Sequence, residues 1–68
     1  MKNNSTMIGD LVRLNRKGVE YYLYRGYHTE ILTNAGIVVA QNEVNAKVWF
    51  APYSQWIAKK YLKKMNKS

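Results

Sequence analysis

Between Gly36 and Leu62 the chain reads GIVVAQNEVNAKVWFAPYSQWIAKKYL. Two short runs of β-branched and aromatic residues flank a polar stretch, Gln41 to Asn45, of hairpin length. In the second run Ala46, Val48 and Phe50 alternate with Lys47 and Trp49. A period of two sends the first three to an inner face and the other two outward. The first run, Gly36 to Gln41, is apolar almost throughout. It predicts a buried strand and leaves open which of Ile37, Val38 and Val39 points in. Pro52 ends the second strand, because it has no N–H to give to a ladder. A hairpin with one apolar face must be closed into a barrel or covered.

Little else is available to stabilise such a sheet. A chain of 68 residues buries only about 60% of its unfolded surface. It has no Cys, so no disulfide and no thiolate metal site, and its one His cannot build a zinc site alone. Six Tyr, two Trp and one Phe must supply most of the bulky packing.

Residues 1–6 are polar and aperiodic and read as a tail. The folded domain is predicted over residues 7–65, with residues 66–68 a basic C-terminal tail. Met7 to Leu14 reads as a strand with Ile8, Val12 and Leu14 on one face and Leu11 and Arg13 on the other. Asn15 to Gly18 is a turn signal. Val19 to Tyr24, VEYYLY, is rich in β-formers and predicts a strand whose inner face is Val19, Tyr21 and Leu23. Tyr27 to Ala35 reads as a loop or as a short strand over residues 29–32.

Pro52 to Met65 supports two readings. Ile57, Tyr61 and Met65, widened by Ala58 and Leu62, fall at helical spacing, with Lys59, Lys60, Lys63 and Lys64 opposite and Ser54 as N-cap. The same residues also fit a strand over 55–58, a 3₁₀ turn over 59–62 and a closing strand over 63–65. The helix would be basic and amphipathic, a form suited to a membrane surface. The strand reading gives the sheet its closure. Trp56 is assigned to the core.

In order along the chain stand Gly9-Asp10-Leu11-Val12-Arg13, Gly36-Ile37-Val38-Val39, Ala46-Lys47-Val48-Trp49-Phe50, then Trp56 and Leu62. This combination resembles a group of small SH3-like barrel proteins of tailed phages, including cyanobacterial phages, and more loosely KOW-type barrels. The resemblance runs from residue 7 to 65, with its best spacing after 36, and skips the Tyr-rich stretch 17–34. It implies an all-β fold, a small five-stranded SH3-like antiparallel barrel with room for a short 3₁₀ or α-helix near residues 55–64. It implies no activity.

Eleven Lys and Arg against four acids give a formal net charge of +7. Six Lys and no acid lie between Ala46 and Ser68. A field of this sign selects anionic partners. The candidate nucleic-acid contacts are Lys47, Lys59, Lys60, Lys63 and Lys64, with Lys67 beyond them. Arg13 joins them if the first strand neighbours the last, and Trp49 is a flat surface for an unpaired base. With Arg13, the residues Arg16, Lys17 and Arg25 make a further basic group in the N-terminal half, for which plain solubility charge is the alternative. The rival is a protein-interaction module, a phage protein engaging a host or phage protein through Trp49, Tyr22, Tyr24 and Tyr53. For either site the alternative is plain: solvated charge, and aromatic edges shielding a small core.

Catalysis is not expected. His28 and Glu30 share a side if extended, but no nucleophile accompanies them. Asp10, Glu20, Glu30 and Glu43 are scattered, so no metal site is predicted, and the glycines form no phosphate loop, so no cofactor is. No apolar run reaches the roughly 18–20 residues that span a bilayer, and no secretory signal opens the sequence. The predicted location is the cytoplasm, that of the host cell for a phage protein. An exposed sheet edge leaves a homodimer open.

Overall fold

A computed structural model of the chain describes residues 6–65. Most of the predicted tails, and Lys67, lie outside them.

The strands are β1 (Leu11–Leu14), β2 (Gly36–Gln41), β3 (Asn45–Trp49), β4 (Ser54–Ala58) and β5 (Leu62–Lys64). They form one antiparallel sheet in the order β4-β3-β2-β1-β5. Helices α1 (Arg16–Tyr24) and α2 (Thr29–Thr33) stand between β1 and β2, and a 3₁₀ turn (Lys59–Tyr61) joins β4 to β5. The two outer strands, β4 and β5, do not pair, so the sheet is open where a closed barrel was expected.

The hairpin is as the alternation predicts. Val38 pairs with Val48 and Gln41 with Ala46, and Val38, Ala46, Val48 and Phe50 are buried. Val38 is the member of its run that points in. A bulge at Val39 then shifts the register, so that Ala40 stands opposite Lys47. Of the two C-terminal readings the structure has the strand. Ile57 alone of β4 is buried, and Leu62 starts β5 opposite Leu14. The amphipathic helix of the other reading does not form. Its stripe Ile57–Tyr61–Met65 is broken by the 3₁₀ turn.

Several expectations in the N-terminal half are corrected, among them the turn at Asn15 to Gly18, of which Arg16 onward is already helix. Met7 to Asp10 is a turn, not strand. The Asp10 N–H donates to the Met7 carbonyl, the Asp10 carboxylate accepts from the Met7 N–H, and Gly9 takes φ +96°. Ile8 is consequently exposed. Val19 to Tyr24 is helical despite its β-forming composition. The Asn15 side chain caps α1 by accepting from the Gly18 N–H at 2.8 Å. A helix of nine residues is marginal alone, so packing decides. Gly18 and Tyr22, one turn apart, form its buried face, with Val19 beside them; Tyr21 and Leu23, predicted inward, are exposed. Tyr27 to Ala35, expected as a loop or as a short strand over residues 29–32, instead holds the helix α2, which buries Ile31 and Leu32.

Asn15 also ties α1 to the 3₁₀ turn. Its Nδ2 donates to the Lys60 carbonyl at 2.9 Å and its backbone N–H to the Tyr61 carbonyl at 2.8 Å. The approach is close enough to require glycine at 18. A Cβ there would lie 2.7 Å from the Tyr61 carbonyl oxygen, which is backbone and cannot swing aside.

The buried strand residues and those of both helices make one cluster: Val12, Leu14, Val38, Val48, Ile57 and Leu62 with Tyr22, Ile31 and Leu32. The helices therefore cover one face of the sheet. The other face is uncovered, and it carries the side chains of functional interest.

Candidate functional site

On the uncovered face the strand register fixes the neighbours. Leu11 stands opposite Ile37, and Ile37 opposite Trp49. Lys47 stands opposite Trp56, and Arg13 opposite Lys63. None of these seven residues is buried. Trp49 is 47% and Trp56 43% exposed, which is high for two indoles in a domain this small. Both tryptophans of the chain thus stand on one open surface with a lysine beside them.

The charge on this face is of one sign. No Asp or Glu occurs in any strand; the four acids sit before β1, in α1, in α2 and in the β2–β3 turn. Arg13 and Lys63 are a like-charged cross-strand pair, an arrangement that is normally destabilising. The Arg13 guanidinium donates one bond, 2.8 Å, to the Thr33 carbonyl at the end of α2. That fixes its position without neutralising it. A bound anion would relieve the repulsion.

The predicted nucleic-acid contacts are partly brought together. Arg13, Lys47, Trp49 and Lys63 share the open face. Lys64, one residue on, points to the other side, where its Nζ lies 3.6 Å from the Asp10 carboxylate. Lys59 and Lys60 stand in the 3₁₀ turn beyond β4. The predicted single basic surface is therefore divided among the open face, the opposite side at Lys64 and the 3₁₀ turn.

The predicted protein-contact residues are dispersed. Tyr22 is 6% exposed and cannot anchor a partner. It packs between Tyr21, Tyr27 and Tyr61 at ring separations of 4.9, 4.7 and 5.6 Å, and its hydroxyl accepts from the Ala58 N–H at 3.2 Å. Tyr53 is half-buried and stacked on His28, centroids 4.1 Å apart and planes 6° apart. That stack also accounts for His28, which precedes α2. Tyr24 is fully exposed at the end of α1, and only Trp49 of the four lies on the sheet.

Trp56 was missed as a surface residue. In a strand with Ile57 inward, Trp56 must point outward. The helical spacing of Ile57, Tyr61 and Met65 obscured that signal. Ile37 is the second residue the sequence did not single out.

Burial pushes the Tyr22 phenol above the ordinary value of 10.0, with the Ala58 hydrogen bond opposing. The fold therefore favours the neutral phenol. Its contribution to stability is complete below about pH 10 and is lost as pH rises through the folded value. Thermal unfolding followed from about pH 8 to 11 is expected to show this decline. Tyr22→Phe is expected to remove that component at a cost of about 1 kcal/mol at neutral pH, from the lost Ala58 bond.

Among the described residues no group of three or more His, Asp or Glu could hold a metal ion, and no helix is long and apolar enough to cross a membrane. Comparison of the chain with known protein families, curated proteins and solved structures finds no match.

Proposed function

We propose that this chain is a non-catalytic binding module that takes single-stranded nucleic acid on its open sheet face. The observation that carries this is the pairing of Lys47 with Trp56, beside Trp49, on a strand face without an acid. Exposed aromatics on a sheet stack unpaired bases, and cations between them meet the phosphates. The bases must be unpaired, because a duplex hides the flat surfaces that indole rings stack on. The same proposal takes the fold as an SH3-like barrel akin to the small phage proteins. The strand order and the 3₁₀ turn between β4 and β5 support that likeness.

A second function draws support from the aliphatic part of the same face. Leu11, Ile37, Val39 and Met65 are all more than a third exposed. An apolar surface that runs from Leu11 through Ile37 to Trp49 suits a protein partner, with charge steering the encounter.

Salt separates the two. With Arg13, Lys47 and Lys63 as the phosphate contacts, the logarithm of the affinity for a single strand is expected to fall against log salt with a slope of about −2. Titration of labelled single- and double-stranded oligonucleotides at two salt concentrations reads this slope. Single strands are expected to bind more tightly than duplexes of equal length. No binding at about 50 mM salt and tens of micromolar protein would exclude the nucleic-acid function. A lysate partner that survives nuclease and is lost with Trp49→Ala would favour the protein interface.

A further inference from the structure

Between α1 and the 3₁₀ turn lies a cleft of about 540 Å³, within the range of small-ligand sites. Its walls are aromatic: Tyr21, Tyr27, Trp56 and Tyr61 all line it. Tyr21 and Tyr61 are stacked with centroids 4.9 Å apart. Two cations stand on this stack. The Arg25 guanidinium carbon is 4.5 Å from the Tyr21 ring centre, and the Lys60 Nζ is 5.3 Å from that of Tyr61. Asn45 adds an amide at the wall, and no acid lines the cleft.

Aromatic clefts commonly take cations such as quaternary ammonium groups, held by the ring faces. Here those ring faces already carry Arg25 and Lys60, and among the described residues neither is ion-paired to a carboxylate. A cationic ligand would be repelled. The wall chemistry instead fits a ligand that is flat at one end and anionic at the other.

We infer that the cleft is a nucleotide subsite, in which an unpaired base stacks on the exposed Trp56 ring and its phosphate meets Arg25 and Lys60. Trp56 lines the cleft and also stands on the open sheet face beside Lys47. The subsite therefore takes one nucleotide of the strand that crosses that face, and in this respect it rests on the function proposed above. It also gives a role to Lys60, which the sheet leaves apart from the other cations.

Two-dimensional amide NMR of the labelled protein tests this, with AMP, adenosine and choline as separate probes. AMP is expected to shift the signals of Tyr21, Tyr27, Tyr61 and the Asn45 side chain, and adenosine to bind more weakly. Arg25 and Lys60 are both exposed, so Arg25→Gln with Lys60→Gln leaves the core intact. This double variant is expected to bind AMP about tenfold more weakly and to lose the preference over adenosine. AMP shifts absent from the cleft, or cleft shifts produced by choline instead, would overturn the subsite. Competition decides its link to the strand. An unlabelled single-stranded oligonucleotide is expected to displace AMP, and a failure to displace it would assign the cleft to free nucleotides. If oligonucleotides do not bind at all while AMP still shifts the cleft, the sheet-face function fails and the nucleotide site stands. If oligonucleotides bind and the double variant binds them unchanged, the subsite fails and the sheet face stands.

Discussion

Phe50→Ala is expected to leave much of the protein unfolded at room temperature. Phe50 is among the largest fully buried side chains, and its ring lies against Gly36 at the start of β2. Truncating such a residue costs about 3–5 kcal/mol, from lost burial and the cavity left behind. A chain of this length holds roughly 3–10 kcal/mol in all. No disulfide supplements the core, and no metal cluster is present among the described residues. Urea unfolding followed by circular dichroism measures the loss. Phe50→Leu keeps most of the volume and is expected to cost about 1.5 kcal/mol or less. Equal losses for the two variants would mean that ring shape, not filled volume, is what the core requires at this position.

The opposite outcome is expected for the open face. Trp49→Ala combined with Trp56→Ala is expected to weaken single-strand binding by at least about 30-fold, with little change in stability. Each stacked base is worth about 1–3 kcal/mol, so two lost platforms remove at least about 2 kcal/mol. The stability cost is small because both indoles are nearly half exposed. Their cross-strand partners, Ile37 and Lys47, contribute only about 0.2–1 kcal/mol each. Fluorescence anisotropy of a labelled oligonucleotide reads the first effect and thermal unfolding the second. Trp→Phe at both positions is expected to restore much of the affinity, since a phenyl ring still stacks. Affinity equally lost with Phe would show that the indoles serve something other than base stacking.

How far the sequence reveals these features differs along the chain. Ala46 to Phe50 was legible because a period of two survives there, with Ala46, Val48 and Phe50 packing inward, whereas the apolar run before it hid that Val38 points in and that the register shifts at Val39. Val19 to Tyr24 was not legible. Its β-forming side chains are real, but Asn15 caps a helix there and Tyr22 is needed in the core. Both depend on groups far along the chain, the Ala58 N–H and the Lys60 and Tyr61 carbonyls. Residues 55–65 carried both periodicities. The strand prevailed because β1 offers β5 a partner, with Leu14 opposite Leu62, a contact that no local pattern announces.

The site was legible in the same uneven way. Lys47 and Trp49 follow from the hairpin's alternation, and Arg13 beside Lys63 follows from β1 neighbouring β5. Trp56 could be placed only after the strand was chosen over the helix. The loss of Lys64 to Asp10 is a contact between residues 54 positions apart and had no local sign. The Tyr21–Tyr61 stack joins α1 to the 3₁₀ turn and is equally non-local.

The most direct measurement is amide NMR with the two indole N–H signals resolved, during titration with a single-stranded oligonucleotide at low salt. Both indole signals are expected to shift, together with the amides of Arg13, Ile37, Lys47 and Lys63, while buried Val48 and Ile57 move little. An oligonucleotide that saturates the protein and leaves both indole signals in place would contradict binding on the open face.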